Sequence, residues 1–291
     1  MERASFSFQI DQEKGSVDAC LQALDNYGFT VLEGVCSDSL LERTMAAIEE
    51  GRAALLEKVD RDLMIERGEF PQLRFPMCFN PVFFEFLQLQ PLLSVIDGFS
   101  EDSLVLRFQS AQRVFPNDER SFSKQVYHHF HRNFRHLQLE PGKVLECVMP
   151  LSDITADNGV ILVFPGSHRW RDVPANEELK SRREELVAIE APAGSMVLLD
   201  GMTVHREEFN YSKKPLDLVL HQFVPSVIKQ HADYCRAIDP AMMEKLPDRT
   251  RFLLGEKSRV PASIEEYYRP MSAAEMKSMA LQYMVSEFAG E

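Results

Sequence analysis

Apolar residues recur at helical spacing over residues 16–26 and 38–58, and the second run opens at Ser37-Asp38-Ser39, which predicts an N-cap ahead of Leu40, Leu41 and Met45. Between them Gly28-Phe29-Thr30-Val31-Leu32 reads as a short strand. From Leu104 onward the pattern changes to β-rich runs at 104–114, 125–134, 143–151, 160–164, 187–189, 195–199 and 218–224, separated by clusters of Gly, Pro, Asn and Asp. Many short strands without long helices between them predict a mainly β (α+β) chain whose core is a closed or double-sheet jelly roll. The stretch from about 236 is rich in Met, Glu, Lys and Ala, and Ala273 to Phe288 reads as a helix packed outside the barrel. No repeat or linker divides the chain. The expectation is one domain over 1–291, with a helix-and-strand region at 16–103, the jelly-roll core at 104–225 and a helical extension at 226–291.

Composition narrows the function classes. Hydrophobic residues make up 45% and charged residues 26% of the 291 positions, as in ordinary globular proteins. A net charge of -13 with scattered Lys and Arg argues against a nucleic-acid partner. No apolar run is long enough to span a bilayer and the N-terminus is not basic-then-apolar, so the expectation is a soluble cytoplasmic protein without membrane partners. The five cysteines (Cys20, Cys36, Cys78, Cys147, Cys235) have no C-x-x-C spacing and read as buried free thiols. The composition favours no particular oligomeric state.

The candidate chemistry lies in two histidine-bearing phrases. One is Tyr127-His128-His129-Phe130-His131-Arg132-Asn133; the other runs from Gly194 through Asp200 to His205, and on to Asn210 and Ser212. Side chains alternate along a strand, so residues 129, 131 and 133 would share one side, and imidazole suits iron well. Between the phrases lie Asp153-Ile154-Thr155-Ala156-Asp157-Asn158-Gly159 and Phe164-Pro165-Gly166-Ser167-His168-Arg169-Trp170.

Together with Asn26 to Val35, these phrases resemble the phytanoyl-CoA dioxygenase family of Fe(II)/2-oxoglutarate oxygenases over roughly residues 20 to 225. The resemblance implies a cupin-like double-stranded β-helix, a His-x-Asp pair on one strand and a distant histidine on another. It also implies oxygen activation with decarboxylation of the co-substrate, acting on a small organic molecule. The distant histidine corresponds to His205, and His168 falls in a turn. No Asp stands two positions after His128, His129 or His131; those positions hold Phe130, His131 and Asn133.

Three registers follow: His129 with His131, His131 with Asn133, or His128 with Phe130. An amide is a poor iron ligand, which favours His129, His131 and His205 as the metal set, with Asn133 and His128 as alternates or neighbours. In the family an Arg about eleven positions after the distal histidine binds the co-substrate carboxylate, but here that position is Leu216. Lys213, Lys214 and Arg107 are the replacement candidates, with Arg113 as a further one. Phe108, Gln112, Arg132 and Arg135 are candidates to line the substrate pocket. Three readings remain: an Fe(II)/2-oxoglutarate oxygenase, a three-histidine iron enzyme that uses no 2-oxoglutarate, or a non-catalytic relative serving as a binding module or partner subunit.

Overall fold

The computed structural model describes residues 7–9, 15–116, 129–134 and 139–268. The chain opens with β1 (Ser7–Gln9), α1 (Gly15–Tyr27), β2 (Phe29–Glu33) and α2 (Asp38–Leu56). Helix α1 stops where Gly28 takes φ +82° and its N–H donates to the Leu24 carbonyl at 2.9 Å. Helix α2 starts at the predicted cap, where the Ser37 hydroxyl accepts from the Leu40 amide at 3.3 Å. Then come α3 (Arg61–Glu66), β3 (Leu73–Arg74), α4 (Val82–Phe86) and α5 (Gln90–Phe99).

The remaining strands are β4 (Leu104–Val114), β5 (Leu145–Pro150), β6 (Ile161–Val163), β7 (Val187–Ile189), β8 (Met196–Asp200), β9 (His205–Glu207) and β10 (Leu216–Pro225). The runs read at 104–114 and 187–189 form strands over those residues, and those at 143–151, 160–164, 195–199 and 218–224 form strands shifted by a residue or two. The large sheet has the order β1-β2-β8-β5-β10-β4-β3, parallel only at β1–β2; the small sheet has the order β7-β6-β9.

Alternation along the strands divides the core in two. On β5, Leu145, Cys147 and Met149 face the helices, packing with Leu24 of α1, Ile48 of α2, Phe83 and Phe86 of α4 and Val95 of α5. Val148 faces the other way. There Phe29 and Val31 of β2, Val197 and Leu199 of β8, and Leu216 and Leu218 of β10 meet Ile161, Val163 and Ile189 of the small sheet. Two sheets closed around that inner core make a jelly roll.

The N-terminal region is woven into this core, since β2 and β3 are strands of the large sheet. Helix α6 (Asn176–Ser181) lies in the connection between β6 and β7. After β10 come α7 (Tyr234–Ala237), α8 (Pro240–Met243), α9 (Asp248–Leu253) and α10 (Ile264–Tyr267), and Tyr234, Ile238, Met243, Leu246, Leu253 and Leu254 join the core on the helical side. The helix expected at Ala273 to Phe288 lies outside the described residues. All five cysteines are free; Cys20, Cys36 and Cys147 are buried, Cys235 is half-buried, and Cys78 is exposed, contrary to the buried reading, because it ends a surface turn. No helix among the described residues is long and apolar enough to cross a membrane.

Candidate metal centre

One irregularity positions the site. The β4–β10 ladder pairs Phe108 with Gln222 and Leu106 with Phe223, so Arg107 is an extra, bulged residue. On the inner face beyond the bulge, Phe108, Ser110, Gln112 and Val114 lie opposite Gln222, Leu220, Leu218 and Leu216. Arg107 Nη1 donates to Gln222 Oε1 at 2.5 Å, and its guanidinium lies 4.5 Å from the Phe134 ring centroid. Burial pushes the Arg107 pKa down, and the neighbouring Glu146 opposes that shift.

His205 opens β9 beside His131, the one residue of the 129–134 segment that bridges to a strand. The Nδ1 of His131 lies 3.0 Å from the His129 carbonyl, and the Nδ1 of His205 lies 2.9 Å from the Thr203 carbonyl. A carbonyl only accepts, so each Nδ1 carries the ring proton and Nε2 is the lone-pair nitrogen of both rings. The ring centroids are 4.5 Å apart, tilted at 47°. The loop into His205 is tightly held. The Asp200 carboxylate accepts from Met202 N and Gly142 N, the Thr203 hydroxyl donates to the Gly28 carbonyl at 2.8 Å, and Val204 N donates to the Ser167 hydroxyl at 2.8 Å.

Two carboxylates accompany the imidazoles. Glu146 lies on the inner face of β5 in register with Gln222 of β10 and Leu199 of β8, and it accepts a hydrogen bond from the Asn133 side-chain amide. Burial pushes its pKa up, while Asn133, His131 and Arg107 pull it back. Glu207, two residues along β9 from His205, has a buried Oε2 without a hydrogen-bond partner among the described residues; burial and then the nearby Glu146 push its pKa up to about 7. Among the described residues, no three His, Cys, Asp or Glu side chains are gathered closely enough to hold a metal ion. The donor types nonetheless suit Fe(II), which takes two imidazoles and a carboxylate on one face, and a buried carboxylate oxygen lacking a partner is a donor such an ion would satisfy.

The family profile for phytanoyl-CoA dioxygenase (PhyH) matches residues 24–215. The chain belongs to the phytanoyl-CoA dioxygenase family. Among curated relatives, two proteins described as uncharacterised, one from Mycobacterium bovis and one from Mycobacterium tuberculosis, are each 29% identical over 256 residues, which is 88% of this chain and 92% of the relative. Among solved structures, HygX from Streptomyces hygroscopicus, with nickel and 2-oxoglutarate bound, superposes with a TM-score of 0.58 at 17% identity, over 73% of this chain and 88% of that one. At that identity the likeness is one of fold, and it agrees with the jelly-roll architecture.

Against the PhyH pattern, the structure brings His131, His205 and Asn133 together but leaves His129 apart. The His129 side chain is exposed, because residues 129–134 form no regular strand and strict alternation does not hold there. Only its carbonyl reaches the pair. His128 and Arg135 lie outside the described residues. Arg132 does not face the histidine pair: its Nη2 donates to the Ser167 and Trp170 carbonyls at 2.8 and 2.5 Å, on the far side of the segment. Lys213 and Lys214 are exposed in a turn that Asn210 fastens through the Lys214 carbonyl at 2.8 Å. Leu216 is fully buried in the inner core, and Arg113 pairs with Asp217 and Glu49 on the opposite face of the sheet.

Of the four cations considered for the co-substrate, only Arg107 sits beside Glu146 and Gln222. Phe108 is buried against His231, with ring centroids 5.1 Å apart, and Gln112 is half-buried on the inner face. His168 is buried with its Nε2 on the Asp25 carbonyl at 3.0 Å, a contact of the turn rather than of the cavity. A groove lined by Arg52, Met64, Phe70 and Phe115 lies elsewhere and holds no histidine.

Sequence reasoning missed Glu146, Glu207 and Gln222. A lone charge inside the apolar run Leu145-Glu146-Cys147-Val148-Met149-Pro150 is a signal for the first, and the His205-x-Glu207 spacing for the second.

Proposed function

We propose that this chain is a non-heme Fe(II) oxygenase that uses 2-oxoglutarate to oxidise a small organic molecule in the cytoplasm. The observation that carries the reading is the main-chain-locked pair His131 and His205, both with Nε2 as the lone-pair nitrogen. These two nitrogens would hold the iron, which when bound supplies oxygen activation coupled to oxidation of the co-substrate and the target bond. The protein's part is to position and shield. Thr203 and His129 carbonyls fix both ring tautomers, so neither imidazole has to reorient on metal binding. Arg107, toward the opposite end of the β4–β10 ladder from Leu216, offers a guanidinium to a carboxylate, and its buried Nε has no hydrogen-bond partner among the described residues. Leu216, Leu218, Val148 and Ile161 wall the inner core with hydrocarbon and keep water from the deep end.

A second reading is favoured by Leu216 and the two buried carboxylates: an iron enzyme whose substrate itself chelates the metal, without 2-oxoglutarate. Anaerobic titration of the protein with Fe(II), then with 2-oxoglutarate, separates the two. The expected result is a weak visible metal-to-ligand charge-transfer band that is lost in His205→Ala. Iron binding without the band favours the second reading, and absence of iron binding overturns both in favour of a non-catalytic binding module.

A further inference from the structure

We propose that Asn176, the first residue of α6, is a positioning residue for the iron site: its side-chain amide clamps the backbone of Phe130 and through it aims the His131 ring. This rests on the iron reading above and brings in a residue from outside both histidine phrases.

The segment that carries His131 needs such a clamp. Residues 129–134 form no regular strand, and it is His131 alone among them that bridges, to His205. Asn176 Oδ1 accepts from the Phe130 N–H at 2.9 Å. The other end of that peptide unit is the His129 carbonyl, which lies 3.0 Å from His131 Nδ1. Asn176 Nδ2 in turn donates to the Phe130 carbonyl at a longer 3.5 Å, and the N–H of that second unit, which belongs to His131, donates to the His205 carbonyl at 3.0 Å. A peptide unit is planar and stiff, so holding one end aims the other. An N–H that already donates also makes the carbonyl of its unit a better acceptor. The hydrogen bond from His131 Nδ1 gains by this, and a ring that donates well at Nδ1 is a better metal ligand at Nε2.

A separate set of contacts seats α6 without help from the amide. Leu179, three residues along the helix, is buried with Phe130, Phe164 and Val204, and the Phe130 and Phe164 ring centroids are 5.1 Å apart. On the other side of His131, Arg132 donates to the Ser167 and Trp170 carbonyls. Both sequence neighbours of His131 are thus gripped by the connection between β6 and β7, and His131 itself is left to pair with His205. Removing the Asn176 amide takes away the aim of the ring and leaves the helix docked.

The test uses the full chain and the variants N176A, N176L and N176D, with folding checked by circular dichroism and melting temperature. The metal-free readout is the His131 tautomer, measured by nitrogen NMR of the histidine rings at a pH where they are neutral, with the His131 signals assigned by their loss in His131→Ala. The second readout is Co(II) affinity and absorption. Expected in N176A and N176L is a mixture of tautomers in place of Nδ1–H alone, and Co(II) binding weaker by about tenfold or more. N176D keeps the oxygen that holds the Phe130 N–H, and should return both readouts to near wild type, with affinity within about threefold. Unchanged tautomer and affinity in folded N176A or N176L overturn the proposal, as does an N176D variant as impaired as N176L, since packing rather than the accepting oxygen would then matter. Loss of Co(II) binding in His205→Ala with no effect of N176A or N176L leaves the iron reading standing and sinks this one. Wild-type binding in His205→Ala sinks both.

Discussion

His131 and His205 exchange both of their backbone hydrogen bonds, each N–H donating to the other's carbonyl at 3.0 Å. The spacing of the imidazoles is therefore set by main chain, and removing one ring leaves the frame in place. His131→Ala and His205→Ala are expected to weaken Fe(II) binding by about 100-fold or more. Their stability should fall by only about 1–2 kcal/mol, measured by denaturant unfolding. Equal losses of metal and fold would mean that the rings are structural.

Gly28 links the entry of β2 to the loop that delivers His205. A Cβ there would lie 2.4 Å from Thr203 Oγ1 and 2.6 Å from His168 Nδ1, at φ +82°. Thr203 in turn holds the His205 ring through its carbonyl. Gly28→Ala should destabilise the protein by about 2–4 kcal/mol and loosen metal binding as well, read as a lower melting temperature and a weaker Fe(II) titration. A silent Gly28→Ala would break the proposed link.

Acid sensitivity should concentrate on His221. It is fully buried, with its Nε2 2.8 Å from Gln109 Nε2, and burial lowers its pKa to about 3. The amide nitrogen donates, so the imidazole is held neutral in the fold. In the unfolded chain it protonates near its ordinary value of 6.5, and the unfolded state then binds the extra proton. The contribution of His221 is therefore complete above pH 6.5 and declines as pH falls toward about 3. His231, lowered to about 4 by burial and then by Arg107 and Arg74, declines in the same direction. The local slope from His221 approaches about 1.4 kcal/mol per pH unit. His221→Gln should flatten the stability profile between pH 6.5 and 4 by about that slope, followed by urea unfolding at each pH.

Arg107→Met retains the hydrocarbon over Phe134 but removes the guanidinium. If Arg107 receives the co-substrate carboxylate, the 2-oxoglutarate KM rises by about tenfold or more, while Fe(II) affinity changes by about threefold or less. A large loss of iron affinity with no change in KM would overturn that role for Arg107.

The strands were legible wherever burial follows alternation: the runs at 104–114 and 187–189 form β4 and β7 residue for residue. His131 and His205 could be singled out from their phrases, and the structure sets their rings side by side. The segment around His129 misled because it makes one bridge rather than a strand, so period-two reasoning placed the ring inward when it is exposed. Arg132, named only as a candidate to line the pocket, lies on the side opposite His131 and donates to the Ser167 and Trp170 carbonyls. Strand β3 is only two residues long and β9 is the polar run His205-Arg206-Glu207, so neither leaves an apolar pattern, and both are defined by their partners. Glu146 was hidden by its company, since a single charge in an apolar run does not say which face it takes until register is known. Neither the position of Arg107 nor its neighbours follow from local sequence, because a bulge is a property of two strands.

That bulge has a further consequence. Arg107 is the unpaired residue of β4, so deleting it would rejoin Leu106 and Phe108 in register with Phe223 and Gln222 and leave every other residue of the ladder on its present face. One codon's removal would take the guanidinium away from Gln222 and Glu146 without rewriting the sheet. In this scaffold, a positive charge inside the barrel is a matter of strand length as much as of residue type.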